Sequence, residues 1–191
     1  VLAASLAVSM VQLPVYGATN KSKTITVSNQ KELNKALKVA KGKKAYSIVI
    51  KSKNKSTNVT IPKGNYKNLT ITVKGNKVKI KNNATLKTIV LECKDTVSLT
   101  NNGSVGKVEV QKAKSVSLSG TSKKEVKLVV AAEDTTITTK IAIKVVCTDE
   151  NANVTIHNKS DSVVKIIDAD GKTTKVKSGE KSQVTSDSKA D

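Results

Sequence analysis

A spacing of nineteen residues constrains this chain more than any other feature. Ile61, Ile80, Leu99, Leu118, Ile137 and Ile156 stand nineteen residues apart, and Val59, Val78, Val97, Val116, Thr135 and Val154 keep that spacing two positions earlier. Apolar residues two apart with a polar one between them have the period of a strand with one buried face. A second column runs through Leu69, Ile89, Val108, Val126, Val145 and Val164 at intervals of 20, 19, 18, 19 and 19. It is accompanied two residues later by Ile71, Leu91, Val110, Leu128, Cys147 and Ile166, and Leu86 and Val105 mark a less complete third side. Strands of an antiparallel sandwich are joined by loops free to vary in length. A fixed period near twenty therefore argues for a solenoid, each coil stacked on the one before.

Composition agrees with strands. Aromatic residues make up 2% of the chain, with no Phe or Trp, so the core must be built from Val, Ile and Leu, which favour β structure. The expectation is an all-β fold, a right-handed parallel β-helix (solenoid) of about six 19-residue coils over residues 58–167. At roughly 4.8 Å per strand the six coils span about 29 Å. Asn82, Asn101, Gly120, Thr139 and Asn158 also fall nineteen apart, at turn positions where Asn and Gly tolerate left-handed backbone angles.

A solenoid needs caps on its terminal coils. Residues 19–57 supply one as a strand and a helix. Asn29 is an N-cap with Glu32 completing a capping box, Leu33, Ala36, Leu37 and Ala40 form an apolar stripe at helical spacing, and Gly42 is a stop. Within residues 168–191 a hairpin is expected, closed by Asp168-Ala169-Asp170-Gly171 between Val163–Ile167 and Thr173–Val176, followed by a polar tail from Ser178. Residues 1–18, rich in Ala, Val and Leu and ending at Pro14-Val15-Tyr16-Gly17-Ala18, read as a secretion signal without its Met and basic start. A membrane span is the weaker reading, because the run is short and contains Pro14. The expected location is extracellular or at the cell surface.

The segment Thr26-Val27-Ser28-Asn29-Gln30-Lys31-Glu32-Leu33, with Ser47-Ile48-Val49-Ile50-Lys51 and Val59-Thr60-Ile61-Pro62-Lys63-Gly64-Asn65-Tyr66, resembles the helix-capped opening of right-handed parallel β-helix proteins. That group includes pectate-lyase-like enzymes and many surface proteins of Gram-positive anaerobic bacteria. The resemblance implies the fold, and for the enzymes it implies clustered Asp on one face with Arg, His or Lys beside them. This chain departs from that pattern: it has no Arg, and Glu92, Asp95, Glu109 and Glu125 are scattered singly. Glu133-Asp134 and Asp149-Glu150 are adjacent pairs in turns, and no pair has the defined separation that glycoside chemistry needs. The resemblance is therefore to a non-catalytic member.

Other chemistry is sparse. His157 is the single His and points outward after inward Ile156, without a partner for acid or base work. Cys93 and Cys147 have inward parity and lie about three coils, roughly 14 Å, apart, too far for a disulfide within one rod. Two Cys without nearby His do not form a zinc site. Asp168-Ala169-Asp170-Gly171 begins like a calcium loop, but its Gly comes two positions early and Gly179 stands where the final Glu belongs. No catalytic residue, metal site or cofactor is expected.

The net charge is +19, and every basic side chain is Lys. Lysine is a flexible point charge without the planar fork of Arg, so the positive field is diffuse and suits polyanions. Keeping exposed strands soluble is the plainer role of such a surface. Candidate polyanion-binding residues are Lys74, Lys77, Lys79, Lys81, Lys112, Lys114, Lys123 and Lys124. Thr60, Ser98, Ser117, Thr136 and Thr155, interrupted by Lys79, form a candidate outward hydroxyl column. Regular Thr ladders of this kind resemble ice-binding surfaces, though Ser is frequent here and a strand face of Ser and Thr needs no function.

The expected function is a non-enzymatic scaffold or adhesin-like module whose lysines associate with anionic cell-wall or matrix polymers, acidic polysaccharide among them. The alternative is a polysaccharide-active β-helix enzyme or a degenerate relative of one. Nucleic acid is disfavoured as a partner: the chain lacks Arg and interleaved aromatics, and it reads as exported.

Overall fold

The computed structural model describes residues 23–41, 46–51 and 56–185. The apolar run 1–18, Gly42 and the last six residues of the polar tail lie outside them. In chain order the elements are β1 (Lys23–Val27), α1 (Gln30–Ala40), β2 (Tyr46–Lys51), β3 (Ser56–Ile61), β4 (Asn65–Asn82), β5 (Thr85–Asn101), β6 (Ser104–Val110) and β7 (Ser115–Ser119). They continue with β8 (Val126–Val130), β9 (Asp134–Thr139), β10 (Ile143–Cys147), β11 (Asn153–Asn158), β12 (Val164–Ile167), β13 (Thr173–Val176) and β14 (Lys181–Thr185).

These strands form a parallel β-solenoid with coils of about nineteen residues. One side stacks β3, the end of β4, the end of β5, β7, β9 and β11 in parallel. The other stacks β1, β2, the middle of β4, the start of β5, β6, β8, β10 and β12. The third side is real but short, with Tyr66 opposite Leu86 and Leu86 opposite Val105. Inward Val, Ile and Leu fill the space between the sides, and Ile48, Ile71, Leu91, Leu99, Leu118 and Leu128 are fully buried. Each such side chain contributes on the order of 1.5–3 kcal/mol by burial before ordering entropy is subtracted.

The alternation of faces follows the sequence; the rungs do not. On the first side Ile80, Leu99 and Leu118 align at nineteen, as do Ile137 and Ile156. Ile61, however, faces Asn82, and Leu118 faces Thr139, so both of those steps are twenty-one residues. On the second side the aligned column is Ile71, Ile89, Val108, Leu128, Val145 and Ile166, at intervals of 18, 19, 20, 17 and 21. Leu69, Val126 and Val164, expected in that column, each stand two residues away from it. A slip of two preserves which side chains face inward, so the core accepts it, and the corners absorb the difference.

The corner residues act through their side chains. Asn82 Oδ1 accepts the Ala84 N–H at 3.0 Å, while its Nδ2 donates to the Ala84 carbonyl at 3.1 Å and to Asn101 Oδ1 at 2.8 Å. Thr139 Oγ1 donates to the Ile141 carbonyl and accepts its N–H, and Asn158 Oδ1 accepts the Ser160 N–H. Within the expected turn series the left-handed backbone belongs to Gly120, with φ of 131°. Asn82, Thr139 and Asn158 are buried polar residues that satisfy tight-turn peptide groups, the behaviour of Asn and Thr beside a bend, while buried Asn101 accepts from Asn82.

Both ends are capped. Asn29 Oδ1 accepts the Glu32 N–H at 3.0 Å, and Glu32 reaches back to the Ser28 N–H at 2.7 Å. The helix buries Leu33, Ala36, Leu37 and Ala40 over the first coil. Gln30 does something the sequence did not advertise: its side-chain amide donates to the Thr60 carbonyl and accepts the Thr60 N–H, both at 2.8 Å, closing the outer edge of β3 like one more peptide. At the far end β13 returns antiparallel on β12 around Gly171. The polar stretch from Ser178 is corrected: within it, Lys181–Thr185 forms β14, antiparallel to β11 with Val184 buried against Val154.

Candidate functional site

The eight lysines singled out from the sequence do not converge. Lys77, Lys79 and Lys81 point outward from one rung of the first side, spaced about 6.6 Å along β4. Lys74 lies on the other side and is paired with Glu92 at 2.6 Å. Lys112 and Lys114 occupy the corner between β6 and β7, and Lys123 and Lys124 the corner between β7 and β8.

The hydroxyl face exists, but its residues belong to three columns. Lys79, Ser98, Ser117 and Thr138 form one, which ends at His157 and Lys181. Thr136 and Thr155 stand in the next, with Lys77, Thr96, Ser115 and Gln183. Thr60 stands in the third, aligned with Lys81, Thr100 and Ser119. The single column of Thr60, Ser98, Ser117, Thr136 and Thr155 is thus corrected by the two twenty-one-residue steps. Thr60, Lys79, Lys81 and Ser98 do come together, around a shallow depression of about 280 Å³.

Stacking also gathers acidic groups that looked unrelated. Glu133, Asp134 and Asp149 line a cleft of about 500 Å³ with Lys112 and Lys114. Asp134 accepts from Asn153 Nδ2 at 3.0 Å and Asp149 from the Asn151 N–H at 2.9 Å, so both carboxylates serve the corner backbone and its neighbours. Among the described residues no group of three His, Cys, Asp or Glu is placed to hold a metal ion, and no helix is long and apolar enough to cross a membrane. Cys93 and Cys147 are buried free thiols. Burial, with Glu92 adding, pushes the Cys93 thiol up to about 12; burial, with Asp168 adding, pushes Cys147 to about 11.

The second side holds what sequence spacing concealed. Its corrected register places Lys107, Lys127, Lys144, Lys165 and Lys175 opposite one another on consecutive strands. The nineteen-residue columns had mixed Lys127 and Lys165 with Val90, Glu109 and Val146. Their signal was present in the sequence as a Lys before or between inward residues of every coil from β6 onward, without the register that sorts them. No protein family, no curated protein and no solved structure matches the chain.

Proposed function

We propose that this chain is a non-enzymatic scaffold or adhesin-like module of the extracellular space or cell surface, whose lysine-rich faces associate with anionic wall or matrix polymers. The observation that carries this reading is charge left unneutralised on exposed strands. The net charge is +19, and among the described residues two ion pairs, Lys74–Glu92 and Lys107–Glu109, engage lysine. Lys107, Lys127, Lys144, Lys165 and Lys175 recur on consecutive strands, as a partner with its own repeat would use them. The apolar start of the chain supports export. The resemblance to parallel β-helix surface proteins of Gram-positive anaerobes belongs to the same proposal.

The test is co-sedimentation of the chain with purified Gram-positive cell walls, intact or stripped of their anionic polymers, at low and high salt. Binding should depend on the polymers and weaken steeply with salt, because exposed charges are screened within about 8 Å at physiological ionic strength. Binding indifferent to salt refutes the reading. The acidic cleft favours a second one, a polysaccharide-active enzyme using Glu133, Asp134 or Asp149. Release of reducing ends from an acidic polysaccharide, abolished by Asp149→Asn, would establish it.

A further inference from the structure

The second side carries two neighbouring columns, of which the lysine row is not explained by strand formation. Lys107, Lys127, Lys144, Lys165 and Lys175 make a row running along the solenoid axis. At about 4.8 Å per strand it is about 19 Å long. Two residues along each strand, Val90, Glu109, Val129, Val146 and Ile167 form the adjacent column. Val129, Val146 and Ile167 are half-buried, and Lys107 alone in the row is in an ion pair, with Glu109 at 2.6 Å.

Two structural explanations fail. Lysines on edge strands prevent edge-to-edge pairing, which accounts for Lys175 on the terminal strand β13, yet β6, β8, β10 and β12, which carry the other four, are interior strands. Like charges directly opposite on neighbouring strands destabilise a sheet, so the row opposes folding.

We propose that this face is the track for a linear phosphodiester polymer with a short aliphatic repeat and one phosphate per unit. The polymer lies along the solenoid axis, phosphates over the lysine row and hydrocarbon segments against Val129, Val146 and Ile167. This rests on the reading of the chain as a binder of anionic polymers. Point-charge ammonium groups hold phosphate without demanding one geometry. A sugar-rich polyanion would press several hydroxyls per repeat against Val129, Val146 and Ile167, which offer them no partner, whereas a glycerol unit brings one that can turn to solvent. Single strands of nucleic acid bind by stacking on aromatic rings, and neither column contains one.

The experiment is titration of the chain with poly(glycerol phosphate) over a series of salt concentrations. Lys127→Gln/Lys144→Gln/Lys165→Gln is compared with Lys31→Gln/Lys35→Gln/Lys38→Gln, which removes the same charge from exposed positions of α1. The row variant should lose at least about tenfold in affinity, and its salt slope should fall by about 2, three charges at ~0.7 each for a flexible chain. The helix variant should bind within about twofold of the parent. Circular dichroism and thermal midpoints confirm that both fold. Equal losses in the two variants overturn the track but leave the anionic-polymer reading standing, whereas absence of binding by the parent at low salt overturns both. Polygalacturonate bound as tightly, and lost in the same row variant, overturns the choice of phosphodiester. Val129→Thr/Val146→Thr should weaken poly(glycerol phosphate) and spare inorganic polyphosphate, which has no hydrocarbon; equal effects on the two remove the valine column from the site.

Discussion

Reversing one charge in the middle of the lysine row tests the register and the energetics together. Lys144 faces Lys127 on one side and Lys165 on the other. Unit charges about 5 Å apart in water interact by about 0.8 kcal/mol. Flexible stems splay and reduce this, and cross-strand pairs in sheets are worth about 0.2–1 kcal/mol. Lys144→Glu replaces two repulsions by two attractions, so the fold should gain about 1–2 kcal/mol at low ionic strength, with Lys144→Gln giving about half. In urea denaturation, with a slope near 2 kcal/mol/M, the midpoint should rise by roughly 0.5–1 M. In 1 M NaCl, where the Debye length is about 3 Å, most of that gain should vanish. A strict nineteen-residue register would instead place Lys144 between Glu125 and Val163, and the same substitution would then set two carboxylates against each other. A Glu variant less stable than the Gln variant at low salt, or a gain that survives 1 M NaCl, refutes the reasoning.

Leu99 is fully buried between Ile80 and Leu118, so Leu99→Asp leaves an unpartnered carboxylate in the core at a cost of several kcal/mol and should remove the cooperative urea transition. Ser98→Asp, outward and opposite Lys79, should change stability by less than about 0.5 kcal/mol; similar effects would mean the faces are misassigned. Gly120→Ala would drive a Cβ into the Asn101 carbonyl oxygen at a φ of 131°, costing about 2–5 kcal/mol, whereas Gly171→Ala at φ 82° meets nothing within 4 Å and should cost about 1–2 kcal/mol. Equal urea midpoints for the two would contradict the close approach of those coils. The folded state retains thiol protons that the unfolded chain releases above the ordinary value of 9.0, because Cys93 and Cys147 are raised to about 12 and about 11. Their contribution is therefore complete below pH 9 and is lost as pH rises through 9–12, by up to about 1.4 kcal/mol per pH unit per thiol. Cys93→Ala/Cys147→Ala should lack that slope, and parallel pH profiles for variant and parent would exclude it.

What could be read from the sequence was what a period of two encodes. Alternation told inward from outward, and residue types marked the N-terminal cap at Asn29 and Glu32. The rungs were hidden because Val, Ile and Leu recur at every second position, so a column slipped by two looks as apolar as the true one. Gln30 closing the edge at Thr60 is a contact across thirty residues and has no local signature. Strand β14 has one inward apolar residue, Val184, and owes its existence to the open edge of β11. The lysine row was the casualty of the same ambiguity: each member was visible, and their alignment depended on corner lengths.

Those corners are where register is decided. The core discriminates poorly between rungs two residues apart, since either choice buries a β-branched or Leu side chain. A buried Asn or Thr that bonds the backbone two residues onward accepts one placement of the bend and no other, as Asn82 does with Ala84, Thr139 with Ile141 and Asn158 with Ser160. Gly120 has no side chain to do this. Beneath it Asn101 Nδ2 is buried without a partner, an orphan donor costing about 1–3 kcal/mol, and the rung that follows is one of the two displaced to twenty-one residues, with Leu118 facing Thr139. The alignment of the outward columns, the lysine row included, is therefore set by polar groups that never reach the surface. A change at a corner can rearrange the surface chemistry of a whole side while leaving every inward residue inward.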